Sequence, residues 1–396
     1  MRPLDGVTVV SLEHAIAAPF ATRQLADLGA RVIKIERPGS GDFARGYDER
    51  VRGMASHFVW TNRSKESLTL DVKHPESQAI LKRLIAERAD VVVQNLAPGA
   101  AARLGLSYEV LAKAKPSIIV CDISGYGGDG PYRDKKAYDL LIQSEAGFLS
   151  VTGTDADPAK AGCSIADIAA GMYAYSNILA ALLQRQQTGR GQHLDISMLE
   201  SLVEWMSYPL YYAFAGASPP PRSGASHATI YPYGPFPAGD GKTVMLGLQN
   251  EREWTVFCDK VLRQPELAAD ARYSSNSRRS AARDELRRVI VDVFAQLTAA
   301  EVVQRLDDAQ IANARVNDMH EVWDHAQLRA RKRWRDVESP AGPIAALLPP
   351  GFSQAAGEAS PRMDPVPALG EHTDAILVEL GCSAVEIARL RAAHAI

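Results

Sequence analysis

One acidic side chain stands alone in a long apolar segment. The stretch CSIADIAAGMYAYSNILAALLQRQQTGRG begins at Cys163, and Asp167 is its only carboxylate. A carboxylate can attack an acyl carbonyl as a nucleophile and form a mixed anhydride, and N–H groups at a helix start would stabilise the oxyanion that forms. The alternative is helix capping, in which an Asp near the first turn stabilises the helix by about 0.5–2 kcal/mol. The stretch alone leaves both roles open.

Basic side chains form a second group with chemical potential, because each follows a predicted strand or its loop. In open parallel sheets the ligand crevice lies at the carboxyl ends of the strands, so basic residues there could neutralise the phosphates of a ligand. Solvent-exposed surface charge is the alternative for each of them. The residues are Arg37, Lys73, Arg103 and Lys136.

The elements that would position these residues alternate between strand and helix. GVTVVSL, RVIKIE, SLTLDV, DVVVQN and SIIVCDIS are strand-like, and helical patterns separate several of them, including PFATRQLADLG and the segment from Pro75 to Glu87. This rhythm predicts an α/β fold with a mostly parallel sheet. The turn after the first predicted strand reads EHAIAAP and contains no G-x-G-x-x-G, and no G-x-x-x-x-G-K-[ST] appears at any strand end, which argues against a nicotinamide dinucleotide or an ATP P-loop.

The second half of the chain predicts a separate, smaller domain. HLDIS is a further strand and MLESLVEWMSYPLYYAFAG a further helix, and a stretch rich in Pro, Gly and Ser follows. TVMLGLQ is strand-like, and Thr298 and Glu301 have the spacing of a helix capping box. We therefore expect a large domain over 1–205, a linker over 206–230, a small α/β domain over 231–325, and a return to the large domain over 326–396.

The amino-acid composition argues against some classes of binding partner. The 396 residues carry a formal net charge of −3, so nucleic acid and an anionic membrane are not expected partners. Neither a signal peptide nor a long apolar span is evident, so we expect a cytoplasmic protein. The four cysteines lack metal-ligand spacing, which suits reduced thiols and no metal site.

Several segments together resemble one known family. They are LDGVTVVSLEHAIAAPFATRQLADLGARVIKIERPGSGD, VVVQNLAPGAAARLGLSYEVL, ISGYGGDGPYRDKKAYDLLIQSEAG, the Asp167 segment, YPYGPFPAGDGK and LGEHTDAILVELG. In this order they are similar to the class III CoA-transferases, the family of formyl-CoA transferase and carnitine CoA-transferase. The chain is most similar to the branch acting on the small dicarboxylates itaconate, mesaconate, citramalate and glutarate.

The resemblance implies a fold and a set of roles. It implies a Rossmann-like large domain that binds CoA, a small α/β domain, and an interlocked homodimer whose active sites lie between the large domain of one chain and the small domain of the other. CoA thioesters are then substrates, and no permanently bound cofactor is expected. Asp167 falls on the nucleophile position. The implied CoA-binding residues are Arg37, Lys73, Asn95, Leu96, Arg103, Lys136, Ile16 and Ala17, with His14 and Tyr138 beside the thioester.

The resemblance also implies a reaction, in which an aspartyl anhydride and then an aspartyl-CoA thioester form before CoA passes to the acceptor acid. One departure concerns the run of glycines that shields the anhydride in the formyl-CoA branch. This chain has no such run, and Gln249 and Asn250 are candidates for the comparable loop, with a simple turn as the alternative.

Two other activities are alternatives. The α-methylacyl-CoA racemases share this fold but need a base on each face of the substrate and carry a His before the Asp that matches Asp139. Here Tyr138 takes that place, and a phenol with an ordinary pKa near 10 is a poor base at neutral pH. A non-catalytic CoA-binding protein would have no use for Asp167 in an apolar setting.

We expect succinyl-CoA as donor and a five-carbon dicarboxylate such as itaconate, mesaconate or citramalate as acceptor, or intramolecular transfer within mesaconyl-CoA. A buried second carboxylate needs a charged or hydrogen-bonding partner. The candidates are Arg45, Arg52, Arg222 and His227, each with a solvated surface position as the alternative.

Overall fold

A computed structural model of the chain describes residues 1–352 and 360–396, which form two compact units. Unit 1 consists of Met1–Gly147, Ala161–Met206 and Ala326–Ile396. Unit 2 consists of Phe148–Lys160 and Ser207–His325.

The strands belong to three sheets. They are β1 (Thr8–Leu12), β2 (Arg31–Glu36), β3 (Lys65–Thr69), β4 (Val91–Gln94), β5 (Ile119–Ser124), β6 (His193–Ser197), β7 (Tyr233–Pro237), β8 (Thr243–Gly247), β9 (Ala312–Arg315), β10 (Trp334–Val337) and β11 (Ile344–Leu347).

The helices alternate with the strands over most of unit 1. They are α1 (Ala17–Asp27), α2 (Ser56–Asn62), α3 (Pro75–Arg88), α4 (Ala100–Arg103), α5 (Tyr108–Ala114), α6 (Asp139–Glu145), α7 (Phe148–Val151), α8 (Ile165–Thr188), α9 (Met198–Trp205), α10 (Ser207–Tyr212), α11 (Glu251–Val256), α12 (Asn276–Ala281), α13 (Arg283–Phe294), α14 (Ala299–Asp308), α15 (Met319–Trp323), α16 (Ala326–Ala330), α17 (Thr373–Glu379) and α18 (Ala384–Ala392).

The main sheet of unit 1 has the strand order β3-β2-β1-β4-β5-β6, and every neighbouring pair is parallel. The predicted α/β fold with a parallel sheet is therefore confirmed. Its central strands are fully buried; Val9, Val10 and Val93, for example, are each 0% exposed. The strand order reverses between β1 and β4, and ligands of open α/β sheets bind at such a switch point, beyond the carboxyl ends of the strands.

Helix α8 lies against α1 at one close approach. A Cβ atom added at Gly171 would come within 2.7 Å of the carbonyl oxygen of Ala17 and 2.9 Å of the Phe20 ring. Only a glycine fits here without displacing α1. Because residues four apart share one face of a helix, Asp167 lies one turn before Gly171 on the face turned toward the start of α1.

Among the described residues, α8 alone is long and apolar enough to cross a membrane by length and composition. Its contacts with α1, α6, α9 and the strands β5 and β6 are those of a core helix.

Unit 2 is built on the antiparallel sheet β7-β8-β9, with a core that includes Trp254, Phe257 and Phe294. The predicted capping box is present, since the Thr298 hydroxyl accepts the N–H of Glu301 at 3.3 Å and the Glu301 carboxylate accepts the N–H of Thr298 at 2.8 Å.

The single helix predicted for MLESLVEWMSYPLYYAFAG was wrong, because the structure divides it after Trp205 and begins α10 at Ser207. Pro209 explains the division. Proline has no N–H to donate to the carbonyl of Trp205, four residues earlier, and is tolerated only in the first turn of a new helix.

Candidate active site

The Asp167 carboxylate lies half-buried in the first turn of α8, beside a second carboxylate. Oδ1 of Asp139 accepts the backbone N–H groups of Ala166 at 2.8 Å and Asp167 at 3.2 Å. Oδ2 of Asp139 accepts the side-chain amide of Gln143 at 2.6 Å. Asp139 is therefore the cap of α8, and Asp167 is left with no hydrogen-bond donor among residues 1–352 and 360–396.

Burial and the negative charge of Asp139 raise the pKa of Asp167 to about 7. Burial is the larger cause, because a carboxylate that lacks both water and hydrogen-bond donors is poorly solvated in its ionised form. Such a carboxylate is poorly stabilised as an anion. Strongly shifted groups of this kind are concentrated at functional sites.

The N–H groups at the start of α8 are already paired, so the structure does not support their use for an oxyanion. Asp139 takes two of them, and the carbonyls of Cys163 and Ser164 accept those of Ile165 and Ile168 at 2.9 Å each. The start of α1 differs. The buried residues Ile16, Ala17 and Ala18 have N–H groups that find no acceptor within the described part of the chain. Free N–H groups at a helix N-terminus favour a negative ligand.

Two reciprocal hydrogen bonds fix the loop before α1. The N–H of His14 donates to Oδ1 of Asn95 at 2.9 Å, and the side-chain amide of Asn95 donates to the carbonyl of His14 at 2.9 Å. His14 follows β1 and Asn95 follows β4, so these bonds join the two strands at the point where the strand order reverses.

A buried network of charges supports the same loop from behind. Lys65 lies 2.7 Å from Glu13, and Lys34 lies 3.5 Å from Glu13 and 2.7 Å from Asp42. These four side chains are fully buried. Burial lowers the pKa of Lys65 to about 7, whereas the pKa of Lys34 is raised because Glu13, Asp42 and Glu36 outweigh burial.

Asp42 connects this network of charges to the loop before α1. Its Oδ1 accepts the N–H of Ala15 at 3.2 Å and lies 3.8 Å from Nδ1 of His14. Ala15 has a φ of +60°, an uncommon conformation for a residue with a Cβ, and the bond to Asp42 helps to hold it. The imidazole of His14 stacks on Phe43 with ring centroids 5.2 Å apart.

The basic residues expected at the CoA phosphates all follow carboxyl ends of parallel strands. Arg37 comes directly after β2 and Lys73 lies beyond β3, while Arg103 ends α4 beyond β4 and Lys136 lies beyond β5. All four are exposed. Leu96 donates its N–H to Oε1 of Gln94 at 2.7 Å, and Tyr138, just before α6, is 69% exposed.

The arginines proposed for a substrate carboxylate have other partners in unit 1. Arg45 makes two 2.8 Å hydrogen bonds to Glu36 and lies 3.7 Å from the Phe58 ring centroid. Arg52 is exposed, and its nearest acceptor is the carbonyl of Ala341 at 3.5 Å. The geometry favours a structural role for Arg45.

The remaining candidates lie in unit 2 and organise its loops. His227 stacks on Tyr233 and accepts the N–H of Ile230 at 3.0 Å through Nδ1. Arg222 donates to the carbonyls of Thr154 and Asp155 at 2.7 Å each. Asn250, in the segment considered for shielding, caps α11 by accepting the N–H of Glu253 at 2.9 Å, and Gln249 precedes it.

Comparison with known proteins decides the family. The family model described as CoA-transferase family III matches residues 4–373. The chain belongs to CoA-transferase family III. As a family III CoA-transferase it is an enzyme whose substrates include CoA thioesters.

Named relatives match along most of this CoA-transferase. Succinyl-CoA:glutarate CoA-transferase of Mus musculus is 35% identical over 382 residues, covering 96% of this chain and 87% of the relative. Succinate–glutarate CoA-transferase of Agrobacterium fabrum is 34% identical over 388 residues, covering 96% of both chains. Acetyl-CoA:oxalate CoA-transferase of Acetobacter aceti is 35% identical over 331 residues, covering 83% of this chain and 84% of the relative.

A solved structure supports the fold of the CoA-transferase. The crystal structure of a CAIB/BAIF family protein from Brucella suis matches with a TM-score of 0.83 at 32% identity, and it covers 96% of this chain and 99% of that one.

Sequence reasoning did not single out Glu13, Lys34, Lys65 or Asp42. The sequence did contain a signal for them, because a charged residue in or beside an otherwise apolar strand must be paired when it is buried. The sequence also did not predict that Asp139 caps α8, because that contact joins residues 28 positions apart.

Proposed function

We propose that this enzyme transfers CoA from succinyl-CoA to a five-carbon dicarboxylate of the glutarate, itaconate, mesaconate or citramalate type. One observation carries the proposal: in a family III chain, the Asp167 carboxylate has a pKa raised to about 7 and lies one helical turn before the close approach of α8 to α1. The names of the glutarate-using relatives support this acceptor class. The oxalate-using relative makes acetyl-CoA and oxalate the second candidate pair.

The chemistry begins with the ionised Asp167. Its oxygen attacks the thioester carbonyl, the C–S bond breaks, and a mixed anhydride and CoA thiolate form. The thiolate then attacks the aspartyl carbonyl, which releases the donor acid and leaves an aspartyl-CoA thioester. The acceptor carboxylate attacks this thioester, and the thiolate finally attacks the acyl carbonyl of the new anhydride, so that Asp167 is regenerated.

Each tetrahedral intermediate carries an oxyanion, and the free N–H groups of Ile16 and Ala17 are the donors we assign to it. Donors fixed before the reaction stabilise the developing charge without reorganisation. We assign His14 and Tyr138 to the rim beside the thioester. Asn95 acts through His14 by holding its backbone.

For CoA itself, we propose that the exposed basic residues beyond the strands bind the phosphates and that Leu96 lines the adenosine side. Charged donors on phosphate oxygens give strong contacts without making the whole chain basic. The residues are Arg37, Lys73, Arg103 and Lys136.

We also propose that the enzyme works as a cytoplasmic homodimer. Large exposed apolar side chains are concentrated on α10 and the turn after it, including Tyr211 at 78% and Phe214 at 73% exposure. Contiguous apolar surface of this kind marks interaction sites. Light scattering at dilution tests the assembly, and an active monomer would contradict it.

A donor and acceptor panel tests the function. Purified enzyme is incubated with succinyl-CoA or acetyl-CoA and with glutarate, itaconate, mesaconate, citramalate, oxalate or carnitine, and the CoA thioesters are measured by mass spectrometry. We expect the highest kcat/KM for succinyl-CoA with a five-carbon dicarboxylate. Preference for oxalate or carnitine would overturn the proposal.

A further inference from the structure

A row of four aromatic rings extends along one side of unit 1. His14 stacks on Phe43 with centroids 5.2 Å apart, and Phe43 lies 5.8 Å from Tyr47. Tyr47 meets His57 at 5.4 Å in an edge-to-face arrangement. The row therefore begins in the loop before α1 and ends at the start of α2.

The first part of this row borders the nucleophile. His14 lies three residues before Ala17, which α8 approaches one turn after Asp167. The electrostatics agree, since burial and then the negative charges of Asp42 and Asp167 raise the pKa of Tyr47 to about 12. Tyr47 is thus close enough to Asp167 to feel its charge and is in ring contact with His57, and its side chain is neutral at physiological pH.

His57 is the last ring of the row, and it has one buried ring nitrogen while part of the ring is exposed to solvent. Its side chain is 41% exposed, yet Nδ1 is buried, lies 3.7 Å from Oδ2 of Asp48 and has no hydrogen-bond partner within the described ranges. Asp48 is held ionised, because the Ser56 hydroxyl and two backbone N–H groups lower its pKa to about 2.

This arrangement suits the recognition of a carboxylate. An imidazole with a proton on both nitrogens has one N–H on each side of the ring, so that here one could face Asp48 from Nδ1 and the other a ligand carboxylate from Nε2. Arg45 is nearby in sequence but is committed to Glu36. A dicarboxylate has one carboxyl group reacting at Asp167 and a second some carbons away, so its recognition needs a polar group near Asp167 that takes no part in the reaction.

We propose that His57 binds the distal carboxylate of the substrate and so determines the preference for dicarboxylic over monocarboxylic acids. The inference rests on the CoA-transfer function proposed above. It assigns to this chain a specificity residue that touches substrate and takes no part in bond making.

Self-exchange kinetics test the inference with one acid at a time. Labelled glutarate is exchanged into glutaryl-CoA, and labelled pentanoate, which has the same carbon chain without the second carboxylate, is exchanged into pentanoyl-CoA. The variants are His57→Gln, which replaces the imidazole with an amide, and His57→Phe, which keeps a ring beside Tyr47 but has no N–H. The control is His193→Gln, because His193 is likewise paired with an aspartate, Asp122 at 2.8 Å, but begins β6 at the opposite edge of the sheet.

We expect both His57 variants to raise KM for glutarate about tenfold to a hundredfold, the range for losing one charge-assisted hydrogen bond, with kcat nearly unchanged. Pentanoate exchange should stay within about twofold, and the control should match wild type. Equal changes for the two acids, or none in either variant, would overturn the role of His57 while leaving CoA transfer intact. Absence of exchange with every acid in wild type would instead overturn the proposed function and this inference with it.

Discussion

The carboxylate of Asp139 accepts the backbone N–H of Asp167 at 3.2 Å, so one acid caps the helix that carries the other. The cap of α8 and the residue we propose as nucleophile are thereby separate residues. Asp139 also contributes negative charge, which together with burial raises the pKa of Asp167 to about 7. The two effects of Asp139, hydrogen bonding and charge, can be separated by substitution.

Asp139→Asn keeps an oxygen that accepts the two N–H groups but removes the charge. We expect the acidic limb of the kcat/KM profile for acyl-CoA, near pH 7 in wild type, to move to lower pH, because kcat/KM reports the ionisation of the free enzyme. Asp139→Ala should lose the cap as well and destabilise the fold by about 1 kcal/mol more than Asn. A profile that does not move in Asp139→Asn would contradict the electrostatic coupling.

The raised pKa of Asp167 has a consequence for stability. Its folded-state pKa lies above the unfolded value near 4, so the stability it contributes is fully present below about pH 4 and is lost as the pH rises through about 7. Asp167→Asn has no carboxyl group to ionise at this position, so it does not lose this stability as the pH rises. The difference in Tm between the variant and wild type should therefore grow between pH 4 and pH 8, measured by differential scanning calorimetry, and a constant difference would argue against the shifted pKa.

The buried network of charges predicts a large loss of stability when one of its lysines is replaced. Lys34→Met leaves Asp42 without its buried cation, while Glu13 keeps Lys65, so we expect a loss of about 3–5 kcal/mol in the free energy of unfolding. The exposed Lys82 of α3 supplies the control variant, Lys82→Met, which should lie within about 0.5 kcal/mol of wild type. Urea unfolding measures both, and similar values for the two variants would refute the role of the network.

The close approach of α8 to α1 predicts that Gly171→Ala lowers both stability and turnover. The added methyl group would displace Ala17 or Phe20, at a cost of about 1–3 kcal/mol, and would move the free N–H groups of α1 relative to Asp167. Gly162→Ala is the matched control, because nothing lies within 4 Å of its added Cβ. Wild-type kcat and Tm in Gly171→Ala would show that the two helices can separate without consequence.

Local patterns were sufficient to predict the sheet and several helix starts. The apolar runs of β1, β2, β4 and β5 lie in a parallel sheet as expected, since their strands are buried on both faces. The capping box at Thr298 was readable because its two residues are three apart in sequence. Signals confined to a few neighbouring residues therefore predict local structure.

Other features depend on residues far apart in the chain. Arg45 looked available for a substrate, but Glu36 and the Phe58 ring occupy its guanidinium. The cap of α8 comes from a separate helix, and the row of rings that ends at His57 forms only when loops from different strands meet. Sequence could suggest the residue types for the site, whereas tertiary packing decides which of them are free.

The central claim is that Asp167 forms the covalent intermediates, and trapping them tests it most directly. Wild-type enzyme and Asp167→Asn are incubated with acyl-CoA, treated with hydroxylamine or borohydride, digested and analysed by mass spectrometry. We expect a modified Asp167 in the SIADIAAGMY peptide of wild type and none in Asp167→Asn, whose turnover falls by several orders of magnitude while CoA binding persists. A fully active Asp167→Asn enzyme, or a modification that maps reproducibly to Asp139, would contradict it.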